Sequence, residues 1–440
     1  MAMPGRRFLL LPTQLIRCSS QSPIRSMSTF NFTDYVEQCL STSDGNRSTD
    51  FRVEVLTGGL TNHTARTTFT QPISSIGARV LERNGAPYNL KSIVLKHAPP
   101  HMAVDPSRPM SVDRQLVEKR AFQILAGEDA DFPDTKQIGR GEGDARVHIP
   151  KLIWHDEDTN VLWIEDLGNL KTLSEILLAE EDTGLEANIL KVGAELGTFL
   201  FEFFNTTTNP PPSFIAYMTK VSDRSGIYDY LADVVLKNLE GAGVGDAKEL
   251  SERVRNFFDE TDTADLVKCL GMVDFWPENV LVNLGENGKV DSTSCGLVDW
   301  EYFGVSDAPS EFGMFLAHLH IHMLNTTTSA TAKLRIKKFT DVWLRAYTTA
   351  RTKSEHNSNW KPSNGFIRRL LLAHGRDLVR GVKLYGGKLD EVAKQRLLDA
   401  GSRSLKAAGA SSSSVDLNFL QQDGDEEYLK DIWEGVSILV

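Results

Sequence analysis

The hydrophobic periodicity of the chain changes at about residue 167, and this change limits the folds it can adopt. Between residues 51 and 167, apolar residues recur in the short alternating or continuous runs typical of β-strands. After residue 167 the pattern becomes mainly helical, with breaks at 209–212 and 241–245. This order predicts an α+β fold with two lobes: a small antiparallel-sheet N-terminal lobe (34–166) and a larger, mainly helical C-terminal lobe (167–440). A cleft between the lobes is the expected ligand site.

Composition narrows the classes of function. The 440 residues are 41% hydrophobic and 24% charged, which is ordinary for a globular protein. A net charge of −11 argues against a nucleic-acid partner, because a basic surface supplies most of that affinity. No apolar stretch reaches the length of a membrane span. The four cysteines lack metal-ligand spacing and favour a reducing compartment.

Residues 1–33 have a composition of their own. They contain four arginines and five serines but no acidic residue, as mitochondrial transit peptides do. We therefore expect a disordered extension that directs the protein to mitochondria. A plain disordered tail, or synthesis that starts at Met27, would leave the protein in the cytoplasm.

Two aspartates and an asparagine form the first candidate site. Asp274 and Asn279 lie five residues apart, and Asp299 ends a second strand-like run. The first aspartate can orient or deprotonate a hydroxyl, while Asn279 and Asp299 can hold Mg²⁺ against nucleotide phosphates. These are the minimal requirements of phosphoryl transfer. The Asp-x-x-x-x-Asn spacing alone arises about once by chance in a chain of this length, so other segments must support it.

A glycine-containing hairpin precedes this site. Strand patterns at 51–56 and 65–69 flank a turn with Gly58, Gly59 and Asn62. Glycines there would let backbone N–H groups approach phosphate oxygens, although most such hairpins are only turns.

A lysine and a glutamate complete the predicted nucleotide site. Lys96 ends the strand-like run 92–96, and Glu118 follows on a helix that we expect from about Ser111. An ion pair between them would hold the ammonium group beside the phosphates. Either residue considered alone is more often a solvated surface charge.

Together these segments resemble the aminoglycoside phosphotransferase and choline kinase family, which has a protein-kinase-like fold. The resemblance covers about residues 50–325. Segment 274–279 is similar to the family's His-Gly-Asp-x-x-x-x-Asn catalytic loop, and segment 297–301 to its metal-binding Ile-Asp-Trp/Phe-Glu motif. The stretch 96–118, with its proline-containing insert, is similar to methylthioribose kinases.

The resemblance implies ATP- and Mg²⁺-dependent transfer of the γ-phosphate to a hydroxyl of a small molecule. It makes Asp274 the catalytic base, and Asn279 and Asp299 the metal ligands. The residues that it implies for nucleotide binding are the phosphate-covering Gly58, Gly59 and Asn62, the pair Lys96 and Glu118, and the adenine-binding connector Glu165, Asp166 and Leu167.

The catalytic loop departs from the family pattern, because Met272-Val273 stands where His-Gly is usual. Methionine can fill the volume of histidine but cannot donate its hydrogen bond. Valine would be strained wherever the loop needs a positive φ. The alternative hypothesis is therefore a weakened pseudokinase that acts as a mitochondrial regulatory or assembly factor.

The acceptor stays open. Glu301, Asp307 and Glu311 could make its pocket negative and favour a cationic acceptor. The opposing interpretation is that Glu311 braces the catalytic loop and the other two face solvent. The methylthioribose-like insert favours a sugar instead. A protein kinase is disfavoured, because Trp300-Glu301 replaces Phe-Gly and no Ala-Pro-Glu segment follows. The sequence does not predict the oligomeric state.

Overall fold

The structure is a computed structural model, and it describes most of the chain. The described residues are 30–41, 50–56, 59–76, 79–80, 82–83, 86–87, 89–138, 147–180, 185–222, 225–256, 266–284, 293–355 and 363–409. Residues 1–29 of the predicted extension and the candidate Gly58 lie outside these ranges.

The N-terminal lobe is built on a five-stranded antiparallel sheet with the strand order β1-β2-β7-β10-β9. Its elements in chain order are α1 (Phe32–Leu40), β1 (Phe51–Leu56), β2 (His63–Ile73), β3 (Ser75–Ile76), β4 (Arg79–Val80), β5 (Glu82–Arg83), β6 (Ala86–Pro87), β7 (Leu90–His97), α2 (Arg114–Leu125), β8 (Val147–His148), β9 (Leu152–Asp156) and β10 (Val161–Glu165). The predicted hairpin is present as β1 and β2. Helix α2 begins three residues after the expected Ser111, because 111–113 form turns instead.

Side-chain alternation along β7 and β10 gives the sheet two apolar faces. Trp163 packs with α1 on one face, while Leu162 and Ile164 pack with α2 on the other. Val94 packs with the apolar residues on the α2 face, and Lys96 lies two residues further along the same strand. The lysine is therefore presented on the face that carries α2 and the cleft.

The C-terminal lobe is mainly helical. Its elements are β11 (Lys171–Thr172), α3 (Leu173–Leu178), α4 (Leu185–Thr206), α5 (Pro212–Val221), α6 (Ser225–Gly241), α7 (Ala247–Arg255), β12 (Cys269–Gly271), β13 (Val280–Asn283), β14 (Ser294–Leu297), β15 (Gly304–Ser306), α8 (Ala308–Leu324), α9 (Ala330–Glu355), α10 (Asn364–Leu384) and α11 (Glu391–Ala408). Short 3₁₀ turns lie at Pro133–Gln137, Pro277–Asn279 and Gly386–Lys388.

Helix α8 is the central helix of this lobe, and its residues from Pro309 to Leu324 are all buried. It packs closely on α10, since a Cβ atom on Gly313 would collide with the backbone carbonyl of Leu370. A helix that is buried on all sides must be surrounded by other elements. The position of α8 therefore sets the packing of the helices around it.

Two short ladders hold the loops that carry the candidate site. Strand β13 pairs with β14, with Val280 opposite Leu297, and β12 pairs with β15, with Gly271 opposite Gly304. The loops between these strands, 272–279 and 298–303, are consequently held side by side at the cleft. The predicted α+β, kinase-like fold class is confirmed. Within the described ranges, no helix has the length and apolar character needed to cross a membrane.

Candidate active site

A cavity of ≈ 1080 Å³ lies between the sheet and the helices. Its lining includes every described residue that the sequence nominated: Gly59, Asn62, Lys96, Glu118, Glu165, Asp166, Leu167, Asp274, Asn279 and Asp299. The structure therefore brings the predicted site residues together around one space, although they come from segments more than 200 residues apart.

One end of the cavity is organised around a buried lysine; we call it the Lys96 end, comprising Lys96, Glu118, Asn279 and Asp299. The Lys96 ammonium lies 3.0 and 2.8 Å from the two carboxylate oxygens of Glu118, so the predicted ion pair is present. It also contacts the Asp299 carboxylate. Burial by itself would lower the pKa of Lys96, but Asp299 and Glu118 raise it above its usual value. The lysine is thus a fixed positive charge.

Asp299 and Asn279, unlike this buried pair, present oxygen atoms to the cavity. The Asp299 side chain is 35% exposed, against 2% for Glu118, so its carboxylate faces the cavity. The Asn279 side-chain nitrogen donates to the Asp274 carbonyl at 2.9 Å, and the Val298 N–H donates to the Asn279 carbonyl at 3.0 Å. These bonds leave the Asn279 amide oxygen for a ligand. One carboxylate and one amide oxygen suit Mg²⁺, which usually keeps water and phosphate ligands as well.

Asp274 lies half-buried in the cavity wall between the two loops. Burial raises the pKa of its carboxyl group to about 6, the Arg380 guanidinium opposes this rise, and Asp299 adds to it. At neutral pH the carboxylate is mostly ionised yet close to its pKa, which is the condition under which a general base works best.

Glu311 braces the loop of Asp274 from below. Its carboxylate accepts the Val273 N–H at 3.1 Å and the Ser306 hydroxyl at 2.6 Å, and a Cβ atom on Gly271 would collide with it. This is one of the two roles considered for Glu311 from the sequence. The accompanying prediction that the other two acids face solvent is wrong for Asp307. This residue is buried, caps α8 and pairs with Arg369 at 3.1 Å.

The two departures from the family pattern have visible consequences. Val273, where glycine is usual, has a φ of 65°, in the left-handed region that costs a non-glycine residue about 1–2 kcal/mol. Met272 is buried in the main core, as expected of a side chain that replaces the volume of histidine. The loop keeps the glycine-like backbone conformation despite the β-branched side chain.

The sequence did not predict a buried network that joins the two lobes. Glu301 is also buried, against expectation, and accepts hydrogen bonds from Thr61 and Asn62 in the hairpin turn. Arg114 donates to the Asn62 side-chain oxygen at 2.9 Å and to the carbonyls of Thr61 and Pro99 at 3.0 and 2.8 Å. Both polar atoms of the Asn62 amide are therefore used within the protein. Burial and the nearby Asp299 raise the pKa of Glu301 to about 7.

The hairpin turn approaches its own backbone closely at Gly59. A Cβ atom there would lie 2.8 Å from the Asn62 carbonyl oxygen, so a larger residue would displace the turn. Gly59 lines the cavity, and its lack of a side chain leaves the backbone accessible.

The connector after β10 is fixed by its own side chains. The Glu165 carboxylate contacts His148 at 3.1 Å, and Asp166 pairs with Arg66 at 3.0 Å. Leu167 packs so closely on β14 that a Cβ atom on Gly296 would collide with it. With both carboxylates engaged, the backbone of this segment is the part that can meet a planar ligand.

The opposite part of the cavity was not predicted; we call it the Tyr230 end. It is lined by Tyr230 of α6, by Trp276 and Tyr302 beside the two loops, and by Arg376, Arg380 and Lys383 of α10. The spacing of the three cations, i, i+4 and i+7, places them on one face of a helix. The sequence displays that spacing, but a solvated helix face looks the same.

Comparison with known families identifies the chain. A family model described as the phosphotransferase enzyme family matches residues 104–343, which is more than half of the chain. The chain belongs to this family. The predicted relationship to aminoglycoside phosphotransferases and choline kinases is thereby confirmed.

Individual relatives are more distant. A 4-hydroxytryptamine kinase of Psilocybe cyanescens is 29% identical over 240 residues, which are 52% of this chain and 61% of the relative. The match thus spans less than two thirds of that protein. Among solved structures, an ethanolamine kinase of Plasmodium vivax is 12% identical, with 82% of each chain covered and a TM-score of 0.44. A choline kinase of Cryptosporidium parvum is 11% identical, with 93% of this chain and 98% of that chain covered and a TM-score of 0.43.

Proposed function

We propose that the protein is an ATP- and Mg²⁺-dependent kinase that transfers the γ-phosphate to a hydroxyl group of a small molecule. One observation carries the proposal. The Lys96 ammonium is clamped by Glu118 and meets Asp299 in the same cavity that Asp274 and Asn279 line. A phosphoryl-transfer site needs a fixed cation, two oxygen ligands for a metal ion and a base around one space.

Each residue has a defined task in this proposal. Lys96 attracts the phosphate oxygens, and Glu118 keeps its ammonium in place. Asp299 and the Asn279 amide oxygen hold the metal ion, which supplies charge neutralisation at the phosphates when it is bound. Asp274 orients the acceptor hydroxyl and takes its proton late in the transfer.

The side chains that line the Tyr230 end indicate the chemical character of the acceptor molecule. Trp276, Tyr302, Met314 and Leu384 line this part of the cavity, so an aromatic or apolar body would be in contact with similar surfaces. The Psilocybe relative is named for a hydroxylated tryptamine. We propose that the acceptor of this protein is also a hydroxyl group on an aromatic or apolar body.

Nucleotide binding and turnover test the proposal separately. Mg·ATP at 100 times its dissociation constant should stabilise the protein by about 2.7 kcal/mol and raise its melting temperature. ADP release should then appear with some member of a panel of phenols, alcohols and sugars, and should stop when EDTA removes the metal. Asp299→Asn should raise the Mg²⁺ concentration needed for turnover. Asp341→Asn, at a partly exposed position of α9 outside the cavity, serves as control.

Two outcomes would contradict the kinase proposal. The first is the absence of a thermal shift with any nucleotide. The second is a thermal shift without ADP release on any acceptor. That result would indicate a nucleotide-binding pseudokinase, the alternative hypothesis based on Met272 and Val273.

A further inference from the structure

Tyr230 lies between two cations that come from different lobes. The Arg108 guanidinium, in the insert 98–113 between β7 and α2, lies 4.8 Å from the centre of the Tyr230 ring. The Lys383 ammonium of α10 lies 5.1 Å from the same centre and 3.3 Å from the tyrosine hydroxyl. The ring thus gathers positive charge at the mouth of the cavity.

The cations at this end differ in whether a carboxylate pairs with them. Arg376 and Arg380 both pair with Asp377, at 2.6 and 3.3 Å, and Arg108 pairs with Asp105 at 3.0 Å. Within the described ranges, no carboxylate oxygen lies within 4.0 Å of the Lys383 ammonium. Lys383 is therefore a cation that still has capacity for an anionic partner.

Three of the acids that could suit a cationic acceptor are already engaged. Glu301 is tied to the hairpin turn, Asp307 to Arg369, and Glu311 to the backbone of the Asp274 loop. A fourth acid in the cavity, Glu278, accepts a hydrogen bond from the Tyr385 hydroxyl at 3.2 Å. Its other carboxylate oxygen, Oε2, is buried without a hydrogen-bond partner, and burial raises the pKa of this acid above its usual value. An ammonium group placed at the Tyr230 end would meet the α10 cations.

The spacing along α10 relates these cations to the predicted base. Arg380 is close enough to lower the pKa of Asp274, and Lys383 follows it by three residues, about 4.5 Å along the helix axis. A group bound at Lys383 would therefore lie within about one helical turn, along α10, of the arginine that acts on the base.

We propose that the acceptor carries an oxyanion, a carboxylate or a phosphate, and that Lys383 and Arg380 bind it beside the Tyr230 hydroxyl. The inference rests on the proposed kinase function, since it assigns the charge of the acceptor for the same site. The acceptor's hydroxyl lies at Asp274, its body against Trp276 and its anionic group at Lys383.

Four probes with one phenol and different charges test this assignment: 4-hydroxyphenylacetate, 4-hydroxybenzylphosphonate, 4-hydroxyphenylacetamide and tyramine. Their binding to the full chain is measured by titration calorimetry. The two anions should bind at least about tenfold more tightly than the amide or the amine, as expected for a charge-assisted contact. The carboxylate and phosphonate arms show which oxyanion is preferred.

Variants locate the contact. Lys383→Gln should weaken anion binding about tenfold, and Lys383→Arg should restore most of it. The control Lys248→Gln removes an exposed lysine of α7 that does not line the cavity, and should change nothing. Tightest binding by tyramine would overturn the inference. So would an anion preference that survives Lys383→Gln, or no anion binding at about 10 mM.

The Mg·ATP thermal shift and ADP release, measured in parallel, separate this inference from the proposed function. Nucleotide binding and turnover without an anion preference would reject the oxyanion site and leave the kinase. An anion preference without a nucleotide shift would reject the kinase proposal and, with it, the acceptor role of the anion site.

Discussion

The two ends of the cavity are built from different kinds of structure. At the Lys96 end, a buried cation is held by Glu118 and Asp299. Lys96 lies on strand β7 and Glu118 on helix α2, while Asn279 and Asp299 lie in loops fixed by strand ladders. At the Tyr230 end, Arg108 and Lys383 lie on exposed surfaces of an insert and a helix. The buried end suits a fixed chemical task, whereas the exposed end can change its side chains without disturbing the fold.

The largest difference in stability between the two ends is expected from mutating the buried ion pair. Lys96→Met leaves Glu118 as an uncompensated buried acid and should lower the free energy of unfolding by about 3–5 kcal/mol. Lys383→Gln, at the other end, should leave the urea midpoint unchanged. A second change, Glu118→Leu, should recover part of the loss. Equal midpoints for wild type and Lys96→Met would show that the Lys96 end is not the rigid one.

Acid should weaken the helices behind the Tyr230 end. Burial lowers the pKa of His318 to about 3 and those of His322 and His374 to about 4. Each is neutral when folded but gains a proton near pH 6.5 when unfolded, so its stabilisation is complete above that pH and falls below it. Lowering the pH from 6.5 to 5 should cost about 1.6 kcal/mol per histidine.

Glu301, two residues after Asp299 of the Lys96 end, should respond to acid in the opposite sense. Because the pKa of Glu301 is raised to about 7, the folded protein binds its proton more tightly than the unfolded chain. Glu301 therefore favours folding more as the pH falls from about 7 towards the usual glutamate range. Urea midpoints between pH 7 and 5 should fall for the wild type and fall more steeply for Glu301→Gln. A flat wild-type profile would contradict the histidine account.

A smaller effect is expected at the strained residue of the catalytic loop. Val273→Gly should relieve about 1–2 kcal/mol of left-handed strain, partly offset by about 0.5–1 kcal/mol of extra chain entropy in the unfolded state. The net result is a small rise in the urea midpoint. Val104→Gly, at an exposed position of the insert, is the matched control and should lower it. Destabilisation of Val273→Gly equal to that of the control would remove the strain argument.

The smallest effect links the two ends. The rate of phosphate transfer should rise with pH through about 6 as Asp274 ionises, and Arg380→Gln should move this rise to higher pH because it removes a nearby positive charge. Arg380→Lys keeps the charge and should leave the profile closer to wild type. A pH–rate profile that does not move in Arg380→Gln would show that the two ends act independently.

The Lys96 end could be predicted from the sequence because its residues occur at fixed spacings. Asp274 and Asn279 share the loop before β13, Asp299 follows the end of β14 by two residues, and strand alternation places Lys96 on the cleft face. Short-range geometry therefore carries most of the information. The left-handed backbone of Val273 could also be anticipated, since glycine is usual there.

The Tyr230 end could not be predicted, because its residues meet only through helix packing. Nothing near Tyr230 in the sequence indicates contact with Arg108, 122 residues earlier, or with Lys383, 153 residues later. The sequence likewise did not distinguish Arg114 and Glu301 from solvated surface charges, although both hydrogen-bond to Asn62 in the structure.

Asp274 lies where the two ends meet, and its role as the base is the central claim. The most direct measurement is transfer of the labelled γ-phosphate by Asp274→Asn, with nucleotide binding measured on the same protein. We predict a loss of turnover of about 10²–10⁴-fold with nucleotide affinity unchanged. Turnover close to that of the wild type would contradict the account.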